Sequence, residues 1–188
     1  MTHTSTPTVT NSPTPTPTVE CASGVLIARA RMRVSKNADP AGDERLTLQG
    51  EVTLAPAIDP VANGFRFKVA DTNGVPLYSF VVPPGLLPGP GVAGWTVNRS
   101  LTKWTYKNGT PIGRVTITDR SSQTPGLYKF KVTGKDGDFQ VKALEVPVQL
   151  VVVLGPGAGQ CATRAFNPAG GSAPTCELKS GGNALSCN

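Results

Sequence analysis

Few residues in this 188-residue chain could do acid–base or nucleophilic chemistry. There is one histidine, His3, with four cysteines and twelve acidic side chains. A Ser–His–Asp or Cys–His arrangement needs an imidazole base. His3 lies in a Thr/Pro-rich stretch at one end of the chain. Paired carboxylates are the remaining route to hydrolysis, yet Asp71, Asp119, Asp136 and Asp138 sit at expected turns, where Asp serves backbone geometry. Asp71-Thr72-Asn73-Gly74 and Asp136-Gly137-Asp138 are like pieces of an oxygen-ligand loop. Neither has the following glutamate at the proper spacing, and hairpin turns account for both. The expectation is a chain that is not an enzyme, with no catalytic residue, metal or cofactor.

The cysteines carry a different chemistry. Cys21 stands where the Thr/Pro stretch ends, and Cys161, Cys176 and Cys187 crowd the C-terminal segment. A zinc site would need all four thiolates at irregular spacing with no C-x-x-C. Two disulfides in an oxidising compartment fit better. Four cysteines allow three pairings. The preferred one joins Cys161 to Cys176 and Cys21 to Cys187, closing a Gly/Pro-rich loop of about 15 residues, worth roughly 3 kcal/mol in the loop-entropy picture, and stapling the domain ends.

Two side-chain sets could bind a ligand. Trp95, Trp104 and Tyr106 could stack on sugar rings, although large aromatics in a β-protein more often fill the core. Arg29, Arg31, Arg33, Arg66, Lys68, Lys129 and Lys131 fall on outward strand faces and would form a basic surface if their strands were neighbours. Net charge is a mild +6 with pI near 9.4. No nucleic-acid motif is present, and Lys and Arg also serve simply to solvate strand faces.

The elements that must position these residues are strands. Residues 25–34 alternate, with Ala28, Ala30, Met32 and Val34 opposite Arg29, Arg31 and Arg33. Leu46, Leu48, Val52 and Leu54 share a face, with Gly50 read as a bulge. Phe65, Phe67 and Val69 alternate with Arg66 and Lys68 before an Asn73-Gly74 hairpin turn. Further strands are read at 76–82, in TKWTYKNGT (102–110, with Asn108-Gly109 closing a turn), 113–118 and 126–134, with a turn at 135–138 returning into 139–144. Residues 86–95 read as loop. The run 146–154 reads as the most apolar and most central strand, followed by an irregular Cys-bearing end. No window has a helical period with caps.

Nine or ten strands with frequent turns predict an all-β chain, an antiparallel β-sandwich (Ig-like or related) stapled by disulfides, with a barrel as alternative. Composition agrees, with 21 Gly, 18 Pro and only 16% charged residues. Residues 1–20 read as an extended linker or stalk, because alternating Thr-Pro has nothing to bury. Residues 21–188 read as a single domain. No apolar run is long enough to span a membrane, since Pro147 and Gln149 interrupt the longest one. An export signal is expected on a longer parent protein, and the localisation expected is extracellular or cell surface.

The segments RARMRVSKN, AIDPVANGFRFKVADTNG, WTYKNGT followed by GRVTITD, GLYKFKVTGKDG and the ending GPGAGQCATRAF…PTCELKSGGNALSC carry a resemblance. Residues 24–187 resemble an uncharacterised β-rich module found near the C-terminus of exported bacterial surface proteins. The resemblance implies an accessory role and assigns no catalytic residue. The functional expectation is a non-catalytic structural, adhesive or display module of a larger secreted or cell-surface protein. Its expected partners are cell-surface polysaccharide or other protein modules, not nucleic acid. The alternatives are a carbohydrate-binding module using the surface aromatics, and a filament or assembly subunit.

Overall fold

The computed structural model describes residues 21, 24–38, 40–55, 57–155 and 160–188. The expected linker at 1–20, with His3, lies outside the described residues. The described chain forms thirteen strands: β1 (Val25–Leu26), β2 (Ala28–Ser35), β3 (Glu44–Thr53), β4 (Phe65–Asp71), β5 (Pro76–Val82), β6 (Gly94–Val97), β7 (Lys103–Lys107), β8 (Arg114–Asp119), β9 (Leu127–Gly137), β10 (Val148–Val153), β11 (Cys161–Pro168), β12 (Thr175–Lys179) and β13 (Ala184–Cys187). A single helical turn, α1 (Pro60–Asn63), starts on Asp59, whose carboxylate accepts the Val61 and Ala62 N–H groups.

The expected two-sheet sandwich of nine or ten antiparallel strands does not form. One mixed sheet runs β5-β4-β10-β11-β12-β13-β2-β3-β9-β8-β7-β6, with β1 beside β11, and curls into a half-barrel. Its continuity comes from the C-terminal segment. β11 pairs antiparallel with β10 over Cys161–Phe166, and its tail, Asn167–Pro168, then pairs parallel with β12. β12 and β13 form a hairpin that docks on β2. Three strands thus fill the place where two separate sheets would have parted.

The alternation read from sequence does set the core. Met32, Val34, Leu46, Leu48, Phe65, Phe67, Val69, Tyr128, Phe130 and Val132 are all buried. Phe65 of β4 packs on Phe130 of β9 with ring centroids 6.1 Å apart, and Tyr78 of β5 packs on Phe139 at 5.8 Å. The two ends of the sheet path therefore face each other across one core.

Four local expectations change. Gly50 is not itself the bulged residue: it pairs in register with Phe130, and the irregularity lies opposite it on β2, between Ala28 and Arg31. A Cβ on Gly50 would lie 2.4 Å from Ile27 Cγ2, so glycine is needed for close packing. The expected turn at 135–138 is largely strand, because β9 continues to Gly137, skipping Asp136 in the pairing at a positive φ of 53°. Residues 139–142 then form no strand, and Ala143–Glu145 is a 3-10 turn. β10 is third along the path rather than central, yet it is apolar on both faces because Val151 and Val153 pack under the Cys21–Cys161 bridge.

Both disulfides form, with a different pairing from the one preferred. Cys21 joins Cys161, and Cys176 joins Cys187. Cys176 and Cys187 are direct cross-strand partners in the β12–β13 hairpin, at a Cα separation of 4.0 Å. Thr175 and Asn188 exchange both backbone hydrogen bonds beside them. The cysteines thus occupy a non-hydrogen-bonded site, where side chains approach most closely.

The free ends of the curl are tied together. After β5 the chain passes through Pro83 and Gly85 and lies along β6: Trp95 N–H donates to Gly85 O (2.9 Å), and Leu87 N–H donates to Trp95 O (2.8 Å). The Trp95 indole N–H donates to Pro83 O at 2.8 Å. The first and last strands of the path are thereby joined through one residue.

Candidate functional site

The candidate sugar platform does not form, and the three aromatics fill the core instead. Trp95, Trp104 and Tyr106 are 0%, 9% and 5% exposed. Trp95 and Tyr106 pack ring on ring at 5.5 Å inside the core. Burial raises the pKa of the Tyr78 and Tyr106 phenols, so neither is available as a base near neutral pH. A ring that stacks on sugar must be exposed, so these three residues are corrected from ligand candidates to core.

The basic residues divide into two groups. In the sheet order β2-β3-β9-β8, β3 lies between β2 and β9. Their outward side chains line up by register: Arg31 opposite Gln49, Gln49 opposite Lys131, and Lys131 opposite Thr116. The next row runs Arg33, Thr47, Thr133, Arg114. Strands about 4.8 Å apart and alternate residues about 7 Å apart make this a rigid grid of cations and hydroxyls. Arg66 and Lys68 do not join it. They project from β4, which is separated from β2 by four intervening strands, roughly 24 Å along the sheet. The expected single basic surface is therefore Arg29, Arg31 and Arg33 with Lys129 and Lys131, and Arg66 with Lys68 belongs to the other arm.

A groove of about 650 Å³ lies on the first group, lined by Arg29, Arg31, Gln49, Thr116, Lys129 and Lys131 among others. Glu51 is the acid in its lining. Its carboxylate sits 2.9 Å from Lys129 Nζ and 3.3 Å from Arg29 Nη1. The Lys129 hydrogen bond is the main cause holding the Glu51 carboxyl below its ordinary value; desolvation opposes it and the Arg29 charge assists. Arg29 reaches Glu51 from an irregularity in the β2–β3 pairing, with φ of 50°. Arg31, Arg33 and Lys131 are exposed and make no ion pair with the described residues. The arrangement can hold anions, and its one acidic side chain, Glu51, is already engaged by two cations.

No protein-family model, curated protein or solved structure matches this chain.

The other candidate groups serve the fold. Asp71 Oδ1 accepts the Asn73 and Val75 N–H groups, so that carboxylate closes the β4–β5 turn. Among the described residues, no group of three metal-ligating side chains occurs. Asn37, which floors a second hollow, is buried with its side chain fully engaged by Val141 and Gly182 backbone groups. Sequence reasoning missed Glu44, a fully buried acid whose Oε2 accepts the Gly42 N–H while Oε1 has no partner among the described residues. It also missed Gln49, Thr116 and Thr118 as groove residues. The alternating Thr of RVTIT was the available signal, but only strand order shows that it borders the cations.

Proposed function

We propose that this chain is a non-catalytic module of a larger secreted or cell-surface bacterial protein, serving attachment or display. The observation that supports it best is the cationic groove on a sheet face, whose hydroxyls and amides can hold a ligand but whose single acidic side chain is tied down by Lys129 and Arg29. Two disulfides indicate a non-reducing environment, which agrees with an extracellular location. Among the described residues, no helix is long and apolar enough to cross a membrane. The resemblance to a β-rich module of exported bacterial proteins points the same way.

Attachment is tested by incubating the oxidised chain with isolated bacterial envelopes and measuring the fraction retained after washing. Retention without release of soluble envelope fragments is the expected result. A chain that stays in the supernatant, or that degrades the envelope, overturns the reading.

One observation favours a second reading, an assembly subunit. β5 pairs only with β4 among the described strands, and Val75 and Val81 beside its open edge are 57% and 45% exposed. An added strand from another chain could extend the sheet there. Light scattering that shows a monomer at all accessible concentrations removes this alternative.

A further inference from the structure

We propose that the outer face of β2, β3, β9 and β8 binds a linear anionic polysaccharide lengthwise along the groove. The inference rests on the attachment role above and names its ligand.

Charge comes first. Arg31, Arg33, Lys131 and Arg114 project from neighbouring strands without an acidic side-chain partner among the described residues, and Glu51 is the one acidic side chain that lines the groove. Cations stand about 7 Å apart along a strand and roughly 10 Å apart from β2 to β9. A polymer with a charge on every sugar or every second sugar meets several of them at once, so weak single contacts multiply. A small anion would gain from only one or two.

The neutral residues decide between polyanions. Between the cations stand Gln49, Thr47, Thr116 and Thr133, partly exposed amides and hydroxyls suited to sugar hydroxyl groups. Single-stranded nucleic acid is held by aromatic platforms that stack on bases. Here Tyr128 and Phe130 are buried on the opposite side of β9, and Trp104 and Tyr106 are buried on the neighbouring β7. A lipid surface would call for apolar side chains that enter it. The large exposed apolar residues, such as Leu86, Val92 and Leu101, lie outside the groove.

The test uses the full oxidised chain immobilised on a biosensor. The probes are polygalacturonate, dextran sulfate, neutral dextran, and a DNA strand matched in charge to the first two. Polygalacturonate and dextran sulfate distinguish carboxylate from sulfate as the recognised group. The expected result is binding to at least one of them, weakening steeply with salt, and none to neutral dextran. Arg31→Glu with Lys131→Glu should weaken binding more than tenfold, and Arg66→Glu with Lys68→Glu on the other arm should change it less than twofold. Thermal melts of both variants verify folding. Equal losses from both pairs would mean non-specific attraction to net charge and overturn the proposal. So would tighter binding of DNA than of either polysaccharide, or equal binding of neutral dextran. Envelope retention that survives the Arg31/Lys131 change leaves the attachment role standing and overturns only this ligand.

Discussion

Glu51 shows how one side chain can set the charge of a whole face. Its folded carboxyl titrates below the ordinary value of 4.5, chiefly because Lys129 hydrogen-bonds to the ionised form. A depressed folded pKa contributes stability above the unfolded value, and that stability is lost as pH falls through the folded one. The melting temperature of the parent should therefore approach that of Glu51→Gln as pH drops below about 4.5, because protonation removes the same interaction. A difference that stays constant down to pH about 2 would show that Lys129 and Arg29 do not stabilise the carboxylate. At neutral pH, Glu51→Gln should also release both cations and tighten polyanion binding. Much at this scale was legible in sequence. Strict alternation placed Arg31 and Arg33 outward and Met32 and Val34 inward, because a half-buried strand allows no other pattern. Burial of the large aromatics was the favoured reading, but the partners of Trp95 were not legible. That residue follows a Gly/Pro-rich loop without a period, and its environment comes from Pro83 and Tyr106, which only the fold brings close.

At the scale of elements, legibility depended on whether a strand keeps one face to the core. β3, β4 and β9 do so over most of their length and were readable. β11 changes partners between Phe166 and Asn167, so no period of two survives, while β12 and β13 are too short to show one. The disulfide pairing failed for the same reason, since it follows from the β12–β13 hairpin. The two bridges should differ in worth. They close loops with sequence separations of 140 and 11, which the loop-entropy picture values at about 5 and about 3 kcal/mol. Replacing Cys21 and Cys161 together by Ala should lower stability to urea more than replacing Cys176 and Cys187 together. The reverse order would show that packing around the buried Cys176 and Cys187 outweighs loop closure.

For the molecule as a whole, the sheet is all β as composition indicated, but one residue joins its two ends. Trp95 fills the core and donates its indole N–H to Pro83 O. Trp95→Ala should cost about 3–5 kcal/mol, the usual price of emptying a buried aromatic site. Trp95→Phe keeps most of the volume but leaves the Pro83 carbonyl without its donor, so a smaller loss is expected, at least about 1 kcal/mol. Urea titration followed by circular dichroism measures both. A Phe variant as stable as the parent would show that the hydrogen bond contributes nothing to closing the curl. Sequence reasoning could not have found this clasp, because closure depends on twelve strands adding up to the right curvature.

The disulfide pairing has a mechanical consequence. A pull applied between Cys21 and Asn188 does not load the chain from end to end. Tension crosses from Cys21 directly to Cys161, follows residues 161–176, and crosses again from Cys176 to Cys187. Only roughly 15 residues can pay out, about 50 Å at full extension, while the cationic face lies on strands inside the larger covalent loop and bears no load. Under shear, a module attached through that face would hold its binding surface intact until a bridge is reduced. In single-molecule pulling, the length released should rise several-fold on adding reductant, and equal lengths in both conditions would show that the bridges do not carry the force.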